Sequence, residues 1–105
     1  MNTDDLWYFE SFLQGTSVET TIAAVRNALQ LEFQNEVATK PGKTPFNCVP
    51  RSDGAFAVSV TGLKYPARLE DVWSRLGQIA QRHQLTATGV YRVRPARDKD
   101  FLPVA

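Results

Sequence analysis

The order of hydrophobic periodicities along the chain predicts an α+β domain with a ferredoxin-like β-α-β-β-α-β arrangement. A nearly continuous apolar run comes first, and an apolar stripe at helical spacing follows it. Two alternating runs, a second helical stripe and a last alternating run complete the series. In this arrangement two helices cover one face of a four-stranded antiparallel sheet, and the other face stays open.

The first apolar run, Leu6 to Leu13, is rich in aromatic side chains. Aromatic density favours a strand, because these side chains fit a pleated surface, and a strand also completes the fold order. A short helix is the alternative, since Thr3 could cap it and Gly15 could end it. We expect the strand.

The first helix is predicted from a capping box and an apolar stripe. Thr16 and Glu19 have the spacing at which each side chain can bond the other's backbone amide. A helix from about Ser17 to about Val37 follows, and the segment 40–43, with its proline and glycine, ends it. The apolar positions of its stripe are Val18, Ile22, Val25, Leu29 and Phe33.

A strand hairpin is predicted next. Phe46–Val49 lies between Pro45 and Pro50, and proline is confined to strand ends, edges and bulges, so this is an edge strand. The segment 51–54 contains Asp-Gly, a favoured hairpin pair, and the strand Ala55–Thr61 follows it.

The second helix is predicted to begin near Pro66, and its stripe follows the helical rule closely. Gly77 inside this helix suggests a close approach to the sheet, because glycine there otherwise only costs stability. The last strand is Thr86–Arg94, and the C-terminal tail 96–105 is apolar enough to dock. The stripe of the helix consists of Leu69, Val72, Trp73, Leu76, Ile79, Ala80 and His83.

Length and composition predict one globular domain spanning residues 1–105. Hydrophobic residues make up 43% of the chain and charged residues 22%, so it is neither disordered nor fibrous. The single Cys48 rules out an internal disulfide and favours a reducing compartment. The acidic segment 1–5 does not resemble a secretory signal, and no stretch has the roughly 20 apolar residues of a membrane span. We expect a cytoplasmic protein without membrane association.

Charge is distributed unevenly along the chain although the net charge is only +1. Residues 1–36 contain six acidic side chains and one basic one, whereas residues 37–105 contain five acidic and eleven basic ones. Either these charges intermix in the folded molecule, or the molecule has a basic side that could steer an acidic partner.

Alternation along each strand predicts which side chains face the helices and which lie on the open face of the sheet. The residues expected to face the helices are Trp7, Phe9, Leu13, Phe56, Val58, Val60, Tyr91 and Val93. The residues expected on the open face are Leu6, Tyr8, Glu10, Phe12, Ala57, Ser59, Thr61, Val90, Arg92 and Arg94. A slip of one residue would exchange the two sets. The tail or a second copy of the chain is an alternative cover for Tyr8 and Phe12.

No residue cluster has the spacing of a catalytic or metal-binding site. His83, the only histidine, lies in phase with the apolar stripe and is expected to pack rather than to transfer protons. Cys48 has no neighbouring base and is expected to be a small buried hydrophobe. The adjacent Glu70 and Asp71 point about 100° apart on a helix and suit its positive end. We expect no enzyme, no metal and no cofactor.

The favoured function is that of a small non-enzymatic protein-binding module, such as an immunity protein, antitoxin, inhibitor or regulatory protein. Aromatic residues and arginine are typical of the dominant positions in interfaces, and an acidic protein is the expected partner. The expected contact residues are Tyr8, Glu10, Phe12, Arg92, Arg94 and Arg97.

Two other functions stay open. One is a homodimer that binds a small molecule, or acts as a small enzyme, in a pocket between two sheets, with His83, Tyr91 and Arg92 as its polar groups. The other is single-stranded nucleic-acid binding by stacking on aromatic side chains. The low net charge and the poor match of 51–58 to the RNA-recognition motif count against nucleic acid.

Overall fold

The computed structural model describes residues 6–15, 19–38, 40–51, 53–64 and 69–103. They form an α+β structure with two helices and a mostly antiparallel sheet. Its elements are β1 (Trp7–Gln14), α1 (Glu19–Phe33), β2 (Lys43–Thr44), β3 (Phe46–Pro50), β4 (Ala55–Leu63), α2 (Leu69–Arg82), β5 (Thr86–Pro95), a 3₁₀ turn (Asp98–Asp100) and β6 (Leu102–Pro103).

The main sheet has the strand order β3-β4-β1-β5, and every neighbouring pair in it is antiparallel. The aromatic run at the start of the chain is therefore a strand, as expected, and it occupies an interior position. Phe9 lies opposite Val60 on one side and Val93 on the other, and its side chain is buried. A buried aromatic on an interior strand explains why this run is nearly continuously apolar.

One hydrophobic core joins both helices to one face of the sheet, and its members alternate along the strands as predicted. Each fully buried apolar side chain of this size contributes about 1.5–3 kcal/mol. Ser11 is buried on the same face between Phe9 and Leu13. The largest fully buried apolar side chains are Phe9, Phe33, Phe56, Leu13, Leu29, Leu76, Ile79, Val25 and Val58.

The first helix ends earlier than its apolar stripe suggests. It stops at Phe33, and Val37 instead forms a bridge with Leu63 at the end of β4. The Ala38 amide donates to the Gly62 carbonyl at 2.9 Å, so the backbone leaves the helix to pair with the sheet. The predicted capping box at 16–18 lies outside the described residues, as does the predicted start of α2.

Arg75 on α2 bonds acidic side chains at the end of α1 and in the turn that follows it. Its guanidinium donates to Glu32 at 2.8 Å and to Glu36 at 2.9 Å, and it stacks over the Phe33 ring at 4.4 Å. These hydrogen bonds, Glu36 first, raise the pKa of Arg75 above its ordinary value. Here the acidic start of the chain and its basic remainder intermix, which was one of the two expectations.

Two residues predicted to be open are buried. Leu6 is 5% exposed and Thr61 is 2% exposed, because the C-terminal segment (residues 96–103) packs over this end of the sheet. The tail therefore docks, and its β6 pairs with β2 in a separate two-stranded ribbon. A second expectation is wrong: a Cβ built at Gly77 meets nothing within 4 Å, so this glycine marks no close approach.

Among the described residues, neither helix combines the length and the apolar character that crossing a bilayer requires.

Candidate functional site

The open face is the side of the main sheet that carries no helix, and it brings five of the six predicted contact residues together. Tyr8, Glu10 and Phe12 alternate along β1, so all three side chains share this face. Register places Arg94 of β5 opposite Tyr8, and Arg92 opposite Glu10. These two pairs, with Val93, line a depression of about 480 Å³.

Tyr8 is fixed in place by its neighbours. Its hydroxyl donates to Glu10 Oε2 at 2.8 Å, and the Arg94 guanidinium lies over its ring at 4.2 Å from the centroid. Burial, and then the Glu10 carboxylate, raise the pKa of Tyr8 to about 12. The phenol therefore stays protonated and acts as a hydrogen-bond donor throughout the physiological range.

Arg94 is committed to the C-terminal segment. Its two terminal nitrogens donate to the two carboxylate oxygens of Asp100 at 2.7 and 2.6 Å. This bidentate contact raises the pKa of Arg94 and lowers the pKa of the largely buried Asp100. The same carboxylate accepts the Arg97 backbone amide at 2.7 Å. Arg94 therefore holds the C-terminal segment against the sheet, and its charge is not available to a partner.

The C-terminal segment covers the Tyr8 end of the open face. Phe101 is 3% exposed and packs with Leu6 and Ala96. Gly62, at φ +89°, makes room for it, since a Cβ there would lie 3.2 Å from the Phe101 ring. Lys40 holds the segment from outside through a 2.7 Å contact with Asp98. The alternative in which the tail covers this aromatic end is thus correct for Tyr8.

Phe12 lies at the other end of the open face, under a different cation. The guanidinium of Arg51, from the turn after β3, sits 4.7 Å from the centre of the Phe12 ring. Phe12 is half-buried, as is Tyr8. Both aromatic ends are therefore capped by arginines of the same chain, and the accessible part of the face lies between them.

Arg92 is the accessible cation at the centre of this arrangement. Its side chain is exposed and, within the described part of the chain, it makes no ion pair. Arg97 is also exposed, but it belongs to the C-terminal segment and not to the sheet. The predicted set therefore divides into a structural arginine, Arg94, and an available one, Arg92.

Among the described residues no strand lies on the outer side of β5, so this edge is free, which strand parity did not reveal. Strand β5 pairs with β1 on one side and is the last strand in the order of the main sheet. Ser11 pairs with Tyr91 but Leu13 pairs with Ala87, so residues 88–90 form a bulge opposite Phe12. Gly89 adopts φ +84° in this bulge. A glycine inside a strand pattern is the signal that could have predicted it.

The other predicted candidates do not form a second site. Cys48 is 1% exposed, and burial raises the pKa of its thiol to about 11, so it is a buried hydrophobe as expected. Tyr91 and Arg92 lie on opposite faces of β5, so they do not line one pocket together with His83. Within the described ranges, no three acidic, histidine or cysteine side chains come close enough to hold a metal ion.

A larger depression, of about 700 Å³, lies between α1 and the β2–β6 ribbon. Arg26, Lys43 and the amide side chains Gln30 and Gln34 contribute to its lining. It contains none of the predicted contact residues, and its lining includes no carboxylate or histidine for proton transfer.

No protein-family model matches the chain, and the comparison with curated proteins also finds no match. The open face and β5 are therefore the features from which a function can be inferred.

Proposed function

We propose that this protein is a non-enzymatic protein-binding module that regulates or neutralises an acidic protein partner in the cytoplasm. The observation that carries the proposal is Arg92, an exposed cation without an ion pair among the described residues, beside the fixed aromatic ring of Tyr8. Arginine and tyrosine are the residue types that most often dominate binding energy, and a guanidinium fits a carboxylate in two hydrogen bonds.

The surroundings of Arg92 favour binding because they are already ordered. Arg94 and Glu10 hold the Tyr8 ring, and Asp100 holds Arg94, so little side-chain freedom is lost when a partner arrives. The ferredoxin-like arrangement is part of the same proposal. This arrangement is supported by the strand order β3-β4-β1-β5. In this order, one strand of each helix-connected pair lies between the two strands of the other pair.

A protein partner is better supported than single-stranded nucleic acid. Stacking needs a free aromatic face, whereas Arg94 lies over one face of Tyr8. The carboxylates of Glu10 and Asp100 lie in the same patch and repel phosphates. An acidic protein can place a single carboxylate on Arg92, whereas a nucleic-acid strand would bring successive phosphates past Glu10, which lies opposite Arg92.

The test is a charge reversal at Arg92 with a matched control. Arg92→Glu is compared with Arg82→Glu, which makes the same charge change at an exposed position at the end of α2, on the helix side. Each protein is immobilised and exposed to a lysate of the organism that encodes it. We expect one protein to be retained by the wild type and by Arg82→Glu, and to be retained at least tenfold less by Arg92→Glu.

Thermal unfolding of the same three proteins checks that the fold is intact. Arg92 makes no ion pair in the described structure, so the melting temperature of Arg92→Glu should match that of Arg82→Glu. A partner retained equally by all three proteins contradicts the open face as the binding surface. Loss of binding in both variants indicates a dependence on overall charge and equally contradicts the assignment of Arg92.

A further inference from the structure

The free edge of β5 is regular over only four residues. The bulge at 88–90 interrupts it on one side, and Pro95, which has no amide hydrogen, ends it on the other. Between them, Tyr91–Arg94 keeps an unbroken register with Ser11–Tyr8 of β1. A regular edge strand presents alternate N–H and C=O groups that have no strand partner on the outer side.

The two sides of this edge have different chemistry. Arg92 and Arg94 lie on the side of the open face, next to its depression. Tyr91 lies on the helix side, where it stacks on Phe9 at 5.4 Å and approaches Trp73 at 6.1 Å between ring centroids. Tyr91 is nevertheless 42% exposed, since no further strand of the described structure covers it. The edge is thus cationic on one side and aromatic on the other.

The helix-side surface continues beyond Tyr91. A depression of about 460 Å³ extends between α2 and the start of β5, and its lining is mixed: Trp73, Leu85 and Ala87 lie beside Ser74, Gln78, Gln81 and Thr86. Side chains of a strand added beside β5 alternate between the two faces of the sheet. Every second side chain would therefore lie by the arginines, and those between them by the rings of Tyr91 and Trp73.

We propose that the partner contributes an extended segment, in which acidic and apolar residues alternate, and that this segment adds to the free edge of β5 as a further strand. This inference rests on the proposed function and specifies the mode of binding. Backbone hydrogen bonds would hold the segment, and its carboxylates would lie by Arg92. Charge favours an acidic partner segment over a second copy of this chain at this edge. The β5 strand of a second copy, paired antiparallel, would place arginines against arginines, which is unfavourable.

The experiment uses a blocked peptide of about nine residues in which glutamate alternates with valine, a length that spans a typical strand. The isotopically labelled full chain is titrated with it, and the exchange of the Tyr91–Arg94 amides with solvent is followed by nuclear magnetic resonance. We expect exchange at the outward-pointing amides of this stretch to slow on binding. Arg92→Glu should lower the affinity for the peptide at least tenfold, and Arg82→Glu should leave this affinity unchanged.

Three control peptides separate strand addition from simple charge attraction. One has the same composition with all glutamates at one end, one alternates lysine with valine, and one carries N-methyl groups along a single edge. We expect the alternating glutamate peptide to bind more tightly than each of them. Equal binding by the grouped or the N-methylated peptide overturns strand addition, as does the absence of any effect on β5 at about 1 mM peptide.

The outcome also separates this inference from the proposed function. If Arg92→Glu loses the protein partner while that partner leaves the exchange of the β5 amides unchanged, the open face binds and strand addition is wrong. If Arg92→Glu retains the partner fully, the proposed function itself fails.

Discussion

Arg92 and Arg94 show how two residues of one type on one face acquire different roles. Both lie on the open face of β5, two positions apart. Asp100 arrives from the C-terminal segment and forms a bidentate contact with Arg94 alone, so Arg92 stays exposed. The strand pattern places both arginines correctly, but it contains no information about Asp100, because that contact depends on how the segment after β5 turns back.

Replacing Asp100 by asparagine should make the free energy of unfolding less dependent on pH in the acidic range. The hydrogen bonds from Arg94 hold the pKa of Asp100 below its ordinary value of 3.8. At neutral pH we expect Asp100→Asn to lower the free energy of unfolding by about 1–2 kcal/mol, since Arg94 is partly exposed and solvent screens the pair. Chemical denaturation at a series of pH values measures the difference.

The sign of the pH dependence follows from the direction of that shift. Below pH 3.8 the unfolded chain protonates this carboxyl before the folded chain does, so the wild type loses the extra stability as pH falls through the lowered pKa. The gap between wild type and Asp100→Asn should therefore close in acid. Asp98→Asn is the control, because the Asp98 side chain is 83% exposed and should contribute at most about 0.5 kcal/mol. A gap that is constant with pH contradicts the argument.

Among the helices and strands, the sequence predicts best those features that depend on a regular side-chain period. Side chains alternate along a strand without exception in regular regions, so Tyr8, Glu10 and Phe12 could be placed on one face. The two-residue strands β2 and β6 are too short to have a pattern, and the ribbon they form was missed. The end of α1 was missed for another reason: Val37 continues the apolar stripe but pairs with β4 instead.

A substitution at Gly77 tests whether α2 has room for a side chain at this position. Since a Cβ there meets nothing within 4 Å, Gly77→Ala removes only the entropic cost of glycine in a helix. We expect the free energy of unfolding to rise by about 0.5–1 kcal/mol, and the melting temperature to rise with it. Denaturant unfolding of the two proteins measures the change.

Gly62→Ala is the matched contrast for this substitution. Its φ is +89°, and the new Cβ would lie 2.8 Å from the Ala38 carbonyl oxygen, so the variant should be less stable than the wild type. If Gly77→Ala also destabilises the protein, the helix packs more tightly against its neighbours than the geometry indicates. The sign of the two changes, and not their size alone, therefore decides the point.

At the scale of the molecule, charge is partly neutralised inside the fold and partly left on one surface. Arg75 forms ion pairs with Glu32 of α1 and with Glu36 in the turn after it, and Arg94 forms one with Asp100. Arg92 and Arg97 keep their charges on the side of β5 and the C-terminal segment. Part of the positive charge therefore stays on the surface, although Glu10 lies opposite Arg92 and the exposed Asp98 follows Arg97. A linear sequence could not distinguish this outcome from complete intermixing.

This distribution predicts that the protein is a monomer. Two copies meeting edge to edge through antiparallel β5 strands would bring the arginines of the two copies together. The most apolar end of the face is already occupied by Phe101 of the same chain, which leaves little hydrophobic area to stabilise a dimer. Light scattering over a roughly hundredfold concentration range should give the chain mass of 11.7 kDa throughout. A mass that doubles with concentration contradicts this prediction, and Arg92→Glu then locates the contact, because a dimer that includes β5 must change its dissociation constant.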